Sequence, residues 1–118
     1  MRTAHLVALV LLAGCAYTPA ELQALKPTVT FESAQPPLKV AQCLGRNAEE
    51  SKDPFGEARF QARWREAEKP GALEVIITGG HFTFAVAQVA PTANGSHATI
   101  WQSPPLVVDL AEIMARGC

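Results

Sequence analysis

Between Phe60 and Gln102 the chain alternates apolar and polar residues in four runs separated by turn-forming residues. That period of two dictates strands, and the short breaks dictate antiparallel neighbours. Phe60, Ala62 and Trp64 alternate with Arg59, Gln61, Arg63 and Arg65, which describes a half-buried strand with a basic outer face. Pro70-Gly71 supplies a turn. Leu73, Val75 and Ile77 form the next apolar series, and Gly79-Gly80 reads as a two-residue hairpin loop. Such a loop sets Ile77 opposite Phe82, Val75 opposite Phe84 and Leu73 opposite Val86. All six are apolar and share one face, so register and pattern agree. The third strand runs to about Val89, and Asn94-Gly95 is a second hairpin signal of the type I′ kind. In the fourth strand, about His97 to Gln102, a plain two-residue loop turns Trp101 inward with Gln88, and a bulged loop turns Ile100 inward instead. The plain loop, with Trp101 inward, is expected.

Helical patterns flank this meander. Val40, Cys43 and Leu44 fall at i, i+3 and i+4 and give Lys39 to Ala48 one apolar face, with Cys43 on it. Gly45 weakens that helix by up to about 1 kcal/mol relative to alanine. Ser103-Pro104-Pro105 breaks the sheet, and Leu106 to Val108 extends it only after a kink. Asp109-Leu110-Ala111-Glu112 has the form of a capping box, with Val108 and Ile113 as a hydrophobic staple. Gly117 suits the position after a helix end. The expected class is α+β: two layers, a four-stranded antiparallel meander with an N-terminal helix and a short C-terminal helix on one face, over residues 38–118. Upstream, Thr18-Pro19-Ala20-Glu21 is a strong helix start, Pro27 stops it, and Val29-Thr30-Phe31 is β-prone. Residues 15–37 are otherwise expected to be a spacer.

The N-terminus carries a different signal. Arg2 provides a positive charge, Leu6 to Leu12 is unbroken and apolar, and Ala13-Gly14 places two small residues before Cys15. The run is too short for a permanent membrane span and has the layout of an export leader. Leu12-Ala13-Gly14-Cys15 resembles the lipobox of bacterial lipoproteins. The resemblance covers the leader alone. It implies removal of residues 1–14, a diacylglyceryl thioether on Cys15 and an acylated amino group there. Ala16, where an aspartate would retain the protein in the inner membrane, implies the outer membrane, with the inner membrane the other destination. Several acyl chains on one residue hold firmly, since each buried methylene adds about 0.8 kcal/mol.

Lipid on Cys15 leaves Cys43 and Cys118. In an oxidising compartment an even pair reads as a disulfide. It would join the first helix of the domain to the last residue, with a chain-entropy upper estimate of roughly 4 kcal/mol. A metal site or reactive thiol is the rival. No Cys-x-x-Cys is present, and only His81 and His97 follow the leader as imidazole partners.

The remaining polar residues carry little chemistry. His81 and His97 each sit beside a turn, at opposite ends of the shared third strand, and are expected to be apart and exposed. Arg59, Arg63 and Arg65 form a candidate partner surface for an acidic macromolecule or lipid headgroups, although Glu57, Glu66 and Glu68 interleave with them. Ser51, Ser96 and Ser103 lack a nucleophile-elbow context, and Asp53, Glu57, Glu66 and Glu68 have no fixed pairing. A net charge of −1 across 118 residues gives no basic excess for nucleic acid. No cofactor and no metal are expected.

The layout is also similar to that of short proteobacterial envelope lipoproteins of unassigned function, which share a lipobox, a Val-Ala-x-Cys-Leu-like run (here Val40 to Leu44), a meander and a final cysteine. The expectation is a non-enzymatic lipoprotein on the periplasmic face of the outer membrane, held by lipid on Cys15, that binds an envelope protein or the cell wall. The alternative is an inhibitor of a lytic envelope enzyme. A small envelope hydrolase comes third.

Overall fold

The computed structural model describes residues 17–52, 60–104 and 109–118. The leader with Cys15, the residues Asp53, Glu57 and Arg59, and the Leu106 to Val108 stretch with its staple residue lie outside the described residues.

One antiparallel sheet has the strands β1 (Val29–Ser33), β2 (Gln61–Glu66), β3 (Leu73–Gly79), β4 (Phe82–Thr92) and β5 (Gly95–Gln102), in the spatial order β1-β5-β4-β3-β2. The α+β class and the meander β2 to β5 are as expected. The strand count is corrected from four to five. The extra strand comes from the stretch read as a spacer: Val29 lies opposite Ile100 and Ser33 opposite Ser96. Two causes are visible. Val29 and Phe31 pack their inner sides against the core, and the otherwise unpaired edge of β5 gains partners for its backbone groups.

The hairpin register differs from the one that Gly79-Gly80 suggests. Gly79 pairs with Phe82, so the loop is Gly80-His81, and the register shifts between Ile77 and Thr78. Phe84 is the residue left over, because Thr78 pairs with Thr83 and Ile77 with Ala85. One extra residue reverses which side chains of β4 face which way. Ala85, Ala87 and Val89 therefore join Val75 and Ile77 in the core, and Val86 turns to the opposite face. The consequence propagates into β5. Ala87 lies opposite Ile100 and Val86 opposite Trp101. Ile100 is the inward residue, and Trp101 is not, a correction caused by the bulge at Phe84 and not by the β4–β5 loop. That loop is Ala93-Asn94, closed by the Thr92–Gly95 pair. Neither loop residue has positive φ, so the turn is not type I′.

Helix α1 spans Pro19–Gln23, α2 Pro37–Glu50 and α3 Leu110–Ala115. In α2, Pro37 sits at the first helical position, where no N–H is required. Val40, Ala41, Leu44, Gly45 and Ala48 are its buried stripe. With Leu110, Ala111 and Met114 of α3 they cover the Val75, Ile77, Ala87 and Ile100 face of the sheet. Gly45 has a positive purpose here. A Cβ on it would stand 3.2 Å from Ala62 Cβ, 3.6 Å from Trp64 Nε1 and 3.8 Å from Val75 Cγ1. The missing side chain is what lets α2 lie close on β2 and β3.

The cap of α3 is also corrected. Asp109 makes no side-chain cap hydrogen bond. Gln102, at the end of β5, reaches over instead, and its Oε1 accepts from the Ala111 N–H at 2.8 Å. The capping box expected at the other end of the domain is present in full: Thr18 Oγ1 accepts from Glu21 N, and Glu21 Oε1 accepts from Thr18 N.

Helix α1 lies across the sheet from α2 and α3. Its Leu22 is fully buried, with Val86 and Trp101 and with the partly buried Tyr17 and Ile76. Trp101 Nε1 donates to the Leu25 carbonyl at 3.1 Å. From Tyr17 onward the expected spacer is thus part of the packed structure.

Candidate interaction surface

The face of the sheet under α1 carries two of the three candidate arginines, Arg63 and Arg65. Strand pairing places Arg63 beside Ile76 and Arg65 beside Glu74. Trp64 and Ala62, which alternate with them, face α2. Arg63 is exposed. Arg65 is not a free cation: its Nε and Nη2 both donate to Glu74 Oε1, at 3.1 and 2.9 Å. Glu74 is 8% exposed, so this carboxylate needs that partner. Glu74 is not among the sequence candidates; the signal that marks it is a charged residue inside a buried run, set directly opposite an arginine by the β2–β3 hairpin.

Beside this pair, Ala20 and Gln23 of α1 face Arg65, Glu66, Glu74 and Gln88 across a cleft of about 560 Å³. Glu66 and Glu68 are exposed at the hairpin end. The cleft wall holds three carboxylates and one guanidinium, with the most buried carboxylate already paired.

The histidines are separated as expected. His81 is exposed in the β3–β4 turn. His97 lies near the start of β5, and its Nδ1 sits 2.6 Å from Glu32 Oε1 of β1. This cross-strand pair is on the surface and ties the edge strand to β5. Ser96 is buried, and its hydroxyl donates to the Gln35 carbonyl at 2.7 Å. Among the described residues no group of three or more His, Cys, Asp or Glu side chains could hold a metal ion. No helix among them is long and apolar enough to cross a membrane.

On the opposite side of the sheet, Cys43 of α2 and Cys118 after α3 form a disulfide with Cα atoms 5.7 Å apart. Asn47, one turn beyond Cys43, completes this junction. Its Nδ2 donates to the carbonyls of Met114 and Arg116, each at 2.8 Å, and so caps orphan carbonyls at the end of α3. Ser33 Oγ donates to the Cys118 carbonyl at 2.9 Å. Helix α2, helix α3 and edge strand β1 are thereby tied at one point. Asn47 reads in the sequence as a water-facing residue, and nothing local distinguishes it from one.

The chain matches no protein-family model, no curated protein and no solved structure.

Proposed function

We propose that this chain is an exported, lipid-anchored envelope protein with a non-enzymatic binding or structural role. It is held on the periplasmic face of the outer membrane by lipid on Cys15 and meets an envelope protein or the cell wall there. The observation that carries the reading is the Cys43–Cys118 disulfide. Structural disulfides persist in oxidising compartments. This one also uses two of the three cysteines, and the third is the last residue of Leu12-Ala13-Gly14-Cys15. Export and a dedicated lipidation cysteine support each other. A small domain stapled between helix and terminus is suited to presenting a fixed surface.

Mass spectrometry of protein extracted from membranes tests the anchor. The expected N-terminal peptide begins at Cys15 and carries a diacylglyceryl group and an amide-linked acyl chain. Cys15→Ala should leave the membrane fraction or retain the leader. An unmodified Cys15 in the wild-type protein would refute the reading. Cross-linking in intact cells followed by purification tests the partner. An envelope protein or cell-wall fragment is expected, and capture of a lytic enzyme with loss of its activity would favour the inhibitor alternative.

A further inference from the structure

We infer that the sheet face covered by α1 is turned to the bilayer and that phospholipid headgroups are its partner. The inference rests on the anchor at Cys15. Only Ala16 separates Cys15 from Tyr17. Two Cα steps span at most about 7 Å, so the lipid leaves the domain from the immediate surroundings of Tyr17. Tyr17 is not free to swing. It packs against the Leu22, Val86 and Trp101 cluster on the α1 face, and the Trp101–Leu25 hydrogen bond holds the far end of the same segment.

A cysteine carrying acyl chains sits at headgroup depth, and the groups around Tyr17 are brought to that depth with it. Those groups suit it. Ala20, Ala24 and Leu25 are exposed on α1 and its C-terminal flank, with Leu25 37% exposed. Lys26 follows. Arg63 lies opposite Ile76, which packs on the Tyr17 cluster. Glu21 is the one carboxylate of α1, and it is engaged with the Thr18 N–H. The exposed alanines, Leu25 and the cations Lys26 and Arg63 suit the acyl boundary and the phosphates above it, and the exposed carboxylates Glu66 and Glu68 lie at the β2–β3 hairpin end of the cleft beside Ala20. The α2–α3 layer, with the disulfide and the exposed Leu38 (53%), is on the other side of the sheet and faces the periplasm. The surface that meets a macromolecular partner is therefore the helical one.

Acylated protein in phospholipid nanodiscs, some of whose headgroups carry a gadolinium chelate, reads this orientation by NMR. The amide signals of residues 17–28 and of Arg63 should lose intensity, and those of α2 and α3 should keep it. The reverse pattern, or uniform loss across the domain, would overturn the inference. A long Gly-Ser spacer inserted after Ala16 should abolish the selectivity while the protein stays in the membrane. Unchanged selectivity in that variant would overturn the claim that spacing sets the orientation. The intact mass of the same sample reports acylation separately. An acylated protein with the wrong pattern sinks only the orientation, and an unacylated one sinks both.

Discussion

Replacing Gly45 by alanine tests the account of how α2 meets the sheet. In an exposed helix the change would add about 1 kcal/mol of stability from propensity alone. At this position the new Cβ stands 3.2 Å from Ala62 Cβ, with Trp64 and Val75 next behind it. Ala62 has no rotamer by which to move aside, since its Cβ is fixed to the backbone of β2. Relief requires a shift of the helix or the strand, and overpacking of this kind costs about 1–3 kcal/mol. The loss exceeds the gain, and Gly45→Ala should lower stability by about 1 kcal/mol net, or ~4–8 °C in thermal midpoint for a domain of this size. Gly45→Val should cost more, because it adds bulk toward Trp64 and Val75. The decisive measurement is a double-mutant cycle with Ala62→Gly, read by urea unfolding. Removing the Ala62 methyl makes room for the new one, so the two changes should couple favourably by about 0.5 kcal/mol or more. Stabilisation of Gly45→Ala by its full helix-propensity gain, with no coupling to Ala62, would refute the close-packing argument.

Other perturbations follow from the same contacts. Gly95→Ala would place a Cβ 2.0 Å from the Ser33 carbonyl oxygen, with Ala34 backbone atoms at 2.8 Å; it should cost about 2 kcal/mol or more and detach β1, and an unchanged thermal midpoint with protected β1 amides would refute this. Asn47→Ala should cost about 1–3 kcal/mol by leaving the Met114 and Arg116 carbonyls unpaired, and it should speed amide exchange in residues 110–118, where unaltered exchange would count against the clamp. Cys43→Ala with Cys118→Ala opens a loop whose ends are 75 residues apart; the upper estimate of the loss is about 4 kcal/mol, and a measured loss below about 1 kcal/mol would mean that other contacts at this junction suffice.

What the sequence disclosed and what it withheld divide along the range of the interactions. The capping box at Thr18, the meander and the apolar stripe of α2 depend on neighbours a few residues away, and all are legible in the string of residues. The inward face of β4 and β5 depends on a single extra residue at Phe84, and a bulge leaves no mark in an alternating pattern that reads well in either register. Both readings bury apolar side chains, because α1 covers the second face and gives Val86 and Trp101 somewhere to go. A sheet covered on both sides removes the polar alternation that would otherwise expose a wrong register. The cap of α3 failed for a related reason. Asp109 has the right local chemistry, but Gln102 arrives from another element and takes the Ala111 N–H.

The same distinction bears on the surface. Arg59, Arg63 and Arg65 look alike in sequence, three positive charges spaced along a strand. The fold separates two of them by their opposite neighbours: Glu74 engages Arg65, and Ile76 leaves Arg63 without a carboxylate across the strand. A local charge count therefore overstates the patch, and the cation that remains is the one beside the Tyr17 cluster. Tyr17 matters for the same reason. Read as part of a spacer, the stretch after Cys15 would let the domain turn freely and leave every face equally available. With the proposed lipid on Cys15, a stretch packed from Tyr17 onward would turn one face toward the membrane and leave the helical face, stapled by Cys43 and Cys118, on the periplasmic side.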